Sequence, residues 1–369
     1  MFFKQIIGQN SLKQKITQAF TSNKLGHATM FTGIEGYGTL AFALSLSRFI
    51  MCTNRNENDA CGECKSCKKF DRWVHPDLHF VFPVINKKPK EPISDSYIAE
   101  WRKFITKNCY GSYEEWIKTI SSDNKQGGIF KDESDAIAKK LNLKSFESNC
   151  KIMIIWLPEK MNDTASNKIL KILEEPPPLT YFFLVSAQPE QLLQTILSRT
   201  QTVSVPPLSL SEITEQLIIT KHISEEKAYE IAIYAEGDYG KALELVERSD
   251  DLLLNAEKYN TYINYSLNEK FVELLNFIES NLSKDKTAQI EFLQHILFEM
   301  RKMTAQNIKQ SQNGQYNSEV TQSQSPYSLI QIRNIYKLTN IAIMHIERNV
   351  NSKIVFTDLA LQFRKIIKM

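Results

Sequence analysis

The stretch that most constrains the fold lies between residues 28 and 50. A short apolar run at 28–32 (Ala-Thr-Met-Phe-Thr) enters a glycine-rich loop, Gly33-Ile34-Glu35-Gly36-Tyr37-Gly38, and leaves it into a longer apolar run at 40–50. A strand that turns through glycines into a buried helix is the phosphate-loop arrangement of an α/β nucleotide-binding domain. The loop is informative through what it lacks. A working phosphate loop reads G-x-x-x-x-G-K-[ST], with the lysine on the β- and γ-phosphates and the hydroxyl on Mg²⁺. Gly33 and Gly38 fit that spacing, but the lysine position is Thr39 and the hydroxyl position is Leu40. The strand expected to end in metal-binding and catalytic acids ends instead in Trp156-Leu157-Pro158. An apolar pair cannot hold Mg²⁺ or orient water, so the two losses together predict a nucleotide fold without hydrolytic machinery.

The surrounding sequence supplies the rest of such a sheet. Residues 152–156 (Ile-Met-Ile-Ile-Trp) and 181–186 (Tyr-Phe-Phe-Leu-Val-Ser) are near-continuous apolar runs, as strands covered on both faces require, and 201–205 is a further candidate strand. Between them, Ala165, Ile169, Leu170 and Leu173 share one helical face before Pro176-Pro177-Pro178 stops the helix, and a short helix is expected at 192–197. Pro206-Pro207 marks a boundary, beyond which three short helical stretches at 213–219, 225–235 and 241–246 form a small all-α unit. Apolar stripes through 271–278, 292–300, 329–346 and 356–367 make the last hundred residues helical too, while the Gln-, Asn- and Ser-rich 306–325 is expected to be a mobile loop. The expected domains are 1–206, with an unassigned insertion at about 86–128, then 207–250 and 251–369. Within the insertion, Trp101, Phe104, Ile105, Trp116 and Ile117 suggest helices.

Cys52, Cys61, Cys64 and Cys67 follow the spacing C-x8-C-x2-C-x2-C. Two-residue gaps let thiolates converge on one tetrahedral Zn²⁺, and four sulfurs leave no open position, so the expected site is structural. His75, in Val74-His75-Pro76, is read as a turn residue and not a ligand. Crowded cysteines and the lack of a sustained apolar N-terminal or internal stretch argue for a cytosolic protein with no membrane span. A formal charge of only +3, from 45 basic and 42 acidic residues, means that any nucleic acid must be met by a local patch. Around the cysteines Lys65, Lys68, Lys69 and Arg72 are balanced by Glu57, Asp59, Glu63 and Asp71, which describes a solvated face.

Taken in order, Ile7-Gly8-Gln9, Gly26-His27-Ala28, the altered glycine loop, the four cysteines, His75-Pro76-Asp77, Leu173-Glu174-Glu175-Pro176-Pro177 and Ser198-Arg199-Thr200 resemble the AAA+ subunits of bacterial DNA polymerase III clamp loaders. The resemblance covers nearly all of the first 240 residues, and the missing lysine points to the non-hydrolysing, delta-prime branch of that family. It implies an AAA+ parallel-sheet domain carrying a zinc module at about 52–67, a helical lid at 207–250, and an all-α collar from 251 that joins partner subunits. It also implies that Arg199 acts as an arginine finger in a neighbour's ATP site, although the family's Ser-Arg-Cys reads Ser-Arg-Thr here. Gly240 stands where related ATPases often carry arginine, which further weakens nucleotide sensing. The expected cofactor is structural Zn, with ATP not bound tightly. The expected partners are the delta and gamma/tau-like ATPase subunits and, through the complex, the sliding clamp and primer-template DNA in the nucleoid. The chain would thus belong to a DNA polymerase holoenzyme without hydrolysing ATP itself. An ATPase-active clamp-loader subunit and a zinc-containing DNA-binding protein are the alternatives.

Overall fold

A computed structural model of the chain describes residues 1–86, 92–121, 126–282, 285–312 and 326–368. They divide into two compact units, Met1–Glu244 and Leu245–Met369.

The first unit is built on strands β1 (Ala28–Thr32), β2 (Leu78–Val81), β3 (Val84–Ile85), β4 (Gly127–Gly128), β5 (Lys151–Trp156), β6 (Thr180–Ser186) and β7 (Gln201–Ser204). Five of them form one parallel sheet in the order β2-β5-β6-β1-β7, and β3 and β4 pair as a separate antiparallel ribbon. The three inner strands carry the apolar runs because both of their faces are covered. At the edge, β7 is mostly exposed and correspondingly polar. The helix Thr39–Met51 that follows the glycine loop is buried along its whole length, which is why its sequence shows no polar face. This is the parallel α/β domain that the AAA+ resemblance implies.

Three elements of this unit have weak sequence signals. The run Leu-His-Phe-Val that becomes β2 is short and interrupted by His79, and the helix Lys131–Asn142 buries only one narrow stripe including Ile137 and Leu141. The helix expected over 192–197 is a single turn, Gln194–Leu197, because Pro189 opens a separate 3-10 turn before it. Within the insertion, helices Ile98–Lys107 and Tyr113–Ile120 are present, while residues 87–91 and 122–125 lie outside the described ones. Their large side chains make an aromatic core. Trp101 stacks on Phe82 with centroids 4.4 Å apart and meets Trp116 edge-on at 5.2 Å. After the sheet come helices Leu210–Lys221, Glu225–Ala235 and Tyr239–Glu247. The Ser209 and Ser224 hydroxyls accept backbone N–H groups at the starts of the first two.

The second unit consists of helices Ser249–Leu267, Phe271–Asn281, Lys286–Gln312, Leu329–Glu347 and Ser352–Lys368. Tyr262, Phe292, Phe356 and Phe363 meet in its core, where the Tyr262 hydroxyl donates to the Phe356 carbonyl at 2.6 Å. The expected mobile loop at 306–325 is corrected at its start. Residues 306–312 continue the helix, as Gln and Lys, which are good helix formers, allow. Residues 313–325 lie outside the described ones.

The turn His75-Pro76-Asp77 has a structural role that its sequence does not show. Asp77 is buried, and its carboxylate accepts the N–H groups of Phe146, Glu147 and Ser148 at 2.6, 2.8 and 2.8 Å, pinning the loop that leads into β5. Burial pushes the Asp77 pKa up, but the three N–H donors outweigh it and hold the group below the usual carboxylate range. A pKa lower folded than unfolded contributes stability above the unfolded value, lost as pH falls through the folded one. Asp77→Ala should therefore cost about 2–4 kcal/mol at neutral pH, by orphaning buried donors. Urea unfolding should show the gap between mutant and parent narrowing as pH drops below about 4.

Candidate functional site

The glycine loop joins β1 to the buried helix at the C-terminal ends of the parallel strands, where α/β sheets place their ligands. In this protein that position is occupied by the protein itself. Thr39 and Leu40 are both buried at the start of the helix, and neither carries a charge to offer a phosphate. Trp156 and Leu157 end β5 and are also buried. Trp156 lies 5.1 Å from Trp101 and 5.8 Å from Phe104, so the place of the missing acid is taken by an indole packed on the insertion's aromatic core.

Carboxylates surround the loop where a lysine would be needed. The Glu35 carboxylate accepts the Tyr113 N–H at 2.6 Å, and the Asp238 carboxylate lies against Gly36 while accepting the Lys241 N–H at 2.8 Å. Burial pushes the Glu35 carboxyl up, opposed in part by the Tyr113 N–H. It pushes Asp238 up to about 6 against the N–H of Lys241. Glu159 is held close to the same strand ends by the Ser186 hydroxyl and the Ala187 and Gln188 N–H groups. A triphosphate brought here would meet like charge in partly desolvated surroundings, and the nearby Lys160 and Lys241 already act on those carboxylates. The cavity that remains, lined by Gly36, Gly38, Thr39, Tyr110, Trp156 and Leu157 among others, has a volume of ≈ 10 Å³. That is room for a water molecule at most, against the ~300–1,000 Å³ of a small-molecule pocket.

The four cysteines converge. Their Sγ atoms all lie within 4.8 Å of one another, with Cys52 to Cys61 at 3.5 Å, Cys52 to Cys64 at 3.9 Å and Cys61 to Cys67 at 4.0 Å. A tetrahedron of sulfurs each about 2.3 Å from one metal has edges of about 3.8 Å, so the donor set fits a metal ion. The N–H groups of Cys61, Cys64 and Cys67 point at the sulfurs of Cys52, Cys61 and Cys64, at 3.3, 3.4 and 3.4 Å. Such donors favour thiolates and orient them. The cluster also anchors the N-terminus. Phe2 packs on it, and the Asp59 carboxylate accepts the N–H groups of Phe3 and Lys4. His75 is outside the cluster and packs on Phe70, its Nδ1 accepting the Asp77 N–H.

Arg199 lies between the turn Gln194–Leu197 and β7, with about a third of its side chain exposed. Its guanidinium pairs with Glu174 at 2.8 Å and donates to the Thr195 carbonyl at 3.0 Å. It does not approach the glycine loop of its own chain closely enough to line its cavity. The other sequence motifs serve as joints between elements. His27 Nε2 donates to the Leu173 carbonyl at 3.1 Å, and the Gln9 amide donates to the Pro206 carbonyl at 2.6 Å. Sequence reasoning missed Tyr110, Asp238 and Glu35 as site residues: Glu35 occupies an unspecified position inside the glycine loop, and Tyr110 and Asp238 reach that loop only through the fold.

The family model described as "DNA polymerase III, delta subunit" matches residues 8–209, more than half of the 369 residues. The chain belongs to that family. Members similar to it include DNA polymerase III subunit delta' of Bacillus subtilis, 28% identical over 210 residues, covering 57% of this chain and 51% of the relative. The Yersinia pestis subunit delta' is 31% identical, covering 53% of this chain and 44% of the relative. The chain thus spans about half the length of the curated relatives it matches. A weaker match is DNA polymerase III subunit gamma/tau of Mycobacterium tuberculosis, 22% identical over 269 residues, covering 72% of this chain and 39% of the relative. Among solved structures, a gamma subunit-related protein of Thermotoga maritima covers 98% of this chain and 100% of its own, at 14% identity and a TM-score of 0.40, too slight a likeness to bear on the site. No helix among the described residues is long and apolar enough to cross a membrane.

Proposed function

We propose that this member of the delta family is a delta-prime-type, non-hydrolysing subunit of a bacterial DNA polymerase III clamp loader. The observation that carries the reading is the filled phosphate loop. The glycine backbone of a nucleotide site is kept, its lysine and hydroxyl positions are Thr39 and Leu40, and the cavity left at the loop has a volume of only ≈ 10 Å³. The chain then contributes to the loader by assembly. Residues 207–250 serve as the lid, and residues 251–369 serve as the collar that packs beside partner subunits. Exposed Val272, Ile330 and Ile354 in the second unit support a surface that partners cover. The partners are the delta and gamma/tau-type ATPase subunits, and the substrates of the whole complex are the sliding clamp and primer-template DNA in the cytoplasm. Zn²⁺ fills the cysteine cluster as a structural ion, and Arg199 serves a neighbour's ATP site.

Losing the lysine and Mg²⁺ contacts removes charge-assisted hydrogen bonds worth about 1.5–3 kcal/mol each. Calorimetry of the purified chain with Mg-ATP should therefore register no binding below the millimolar range, and no turnover. Mixed with its partner subunits, clamp and primed DNA, the chain should be required for clamp loading. Equal loading without it, or ATP turnover that follows the chain through purification, would refute the reading.

A further inference from the structure

Around Tyr110 the insertion meets the glycine loop, the N-terminal segment and the helices after the sheet together. Tyr110 is buried, and its ring lies over Gly38, so close that a Cβ at position 38 would stand 2.9 Å from the ring edge. Its hydroxyl accepts the Ile7 N–H at 3.0 Å, which brings in the N-terminal segment. Its ring meets Tyr239 edge-on with centroids 5.3 Å apart, and Tyr239 opens the last of the three helices after the sheet. One residue further, Gly240 passes so close to the Tyr110 carbonyl that a Cβ would lie 2.2 Å from the oxygen, leaving no room for any side chain there. Tyr113 donates its N–H to Glu35 in the glycine loop, and Tyr239 donates its own to the Gly36 carbonyl at 3.1 Å.

We propose that the inserted segment 108–113 is the resident occupant of the phosphate-loop site, with Tyr110 holding the helical segment 207–244 against the α/β core in the place a nucleotide would take. The inference rests on reading the loop as a vacated nucleotide site, and not on the identity of any partner. In a nucleotide-binding domain the bound phosphates touch both the glycine loop and the helices beyond the sheet, and so couple them. Here Tyr110 makes both contacts by packing, as a residue of the chain itself, so the coupling needs no bound ligand. Two consequences separate this from a merely decayed site. Nucleotide is excluded twice, once by the missing lysine and again by the occupant, and the junction between the helices and the core takes in Tyr110 beside the Tyr239 N–H bond to Gly36 and the approach of Asp238 to the same glycine. Gly240 belongs to the same device, because an arginine there would collide with the Tyr110 backbone.

Hydrogen exchange followed by mass spectrometry on the full chain tests the junction. Tyr110→Ala should speed exchange about tenfold or more in residues 237–243 and 5–9, leaving β5 and β6 protected. Tyr110→Phe keeps the ring and loses only the hydroxyl, so its effect should be confined to residues 5–9. Should Tyr110→Ala fail to fold, Gly240→Ala tests the contact from the helix side, and faster exchange at 237–243 is again expected. Unchanged protection at 237–243 in a folded Tyr110→Ala or Gly240→Ala chain would overturn the proposal. The second arm restores the loop chemistry with Thr39→Lys and Leu40→Thr and titrates Mg-ATP by calorimetry. No binding is expected while Tyr110 is in place, and micromolar binding by this double variant would overturn the occupant. Neither arm uses partner subunits, clamp or DNA, so either failure leaves the clamp-loader reading untouched, and a failure of that reading in reconstitution leaves these results standing.

Discussion

Arg199→Ala is expected to cut ATP turnover at the adjacent subunit's site by about 10³-fold or more, while the chain itself folds and assembles as before. The expectation rests on the proposed finger role, with which the position of this side chain is compatible. The guanidinium sits at the surface beyond the ends of the sheet, about a third exposed, with Glu174 as its charged partner. An exposed pair of this kind contributes on the order of 0–1 kcal/mol, so losing it should barely change stability. Under the proposed finger role, its value lies in what the guanidinium reaches in a complex. A planar fork can engage phosphate oxygens bidentately and offset the charge that develops as the γ-phosphoryl group transfers. Lysine delivers a point charge without the fork, so Arg199→Lys should recover only part of the rate. Turnover must be read at the one neighbouring site with the other ATP sites of the complex disabled, because a ring average would dilute the loss. Parental turnover by Arg199→Ala in that measurement would remove the finger and leave Arg199 as a surface ion pair.

The contrast between Arg199 and Tyr110 shows how much of this molecule its sequence discloses. The inner strands and the buried helix Thr39–Met51 are legible because burial on both sides forces continuous apolar runs, and few other structures tolerate them. The cysteine cluster is legible because its ligands come from a short span, where spacing alone dictates convergence. The altered loop is legible as a loss, since Thr39 and Leu40 stand where a fixed spacing demands other residues. What fills the loop is not legible. Tyr110 lies in Cys109-Tyr110-Gly111, a turn without periodicity, and acquires its role only because folding brings it to Gly38, Ile7 and Gly240. Asp77 is a similar case, with hydrogen-bond partners some 70 residues away. Trp156 reads as a missing acid, and only the packing shows that its indole belongs to the core of the insertion. The substitution and the insertion thus account for each other: an acid at 156 would be buried among Trp101 and Phe104, and removing those aromatics would strip the cover from Trp156.

Removing the metal should unfold one module and loosen a second element that sequence alone does not connect to it. Four thiols within 4.8 Å of one another, three of them receiving backbone N–H groups, form a site whose ionised state repels itself unless a cation sits among them. Structural zinc in small modules stabilises the fold by an apparent ~10–16 kcal/mol, because no preformed site exists in the unfolded chain. About one Zn²⁺ per chain is therefore expected in protein purified without chelator. Cys64→Ser should abolish it, whereas Cys150→Ala, outside the cluster, should not. The consequence reaches the N-terminus through Asp59, whose carboxylate accepts the Phe3 and Lys4 N–H groups, and through Phe2, which packs on the cysteines and under the Arg48 guanidinium at 3.7 Å. On chelation, hydrogen exchange should rise across 52–67 and in residues 2–4 together, while β1, β5 and β6 stay protected, since their core is built from other side chains. Metal-free protein in which all four thiols alkylate freely in the native state would dismiss the site. Loss of metal with protection intact at 2–4 would keep the site and break its link to the N-terminal segment.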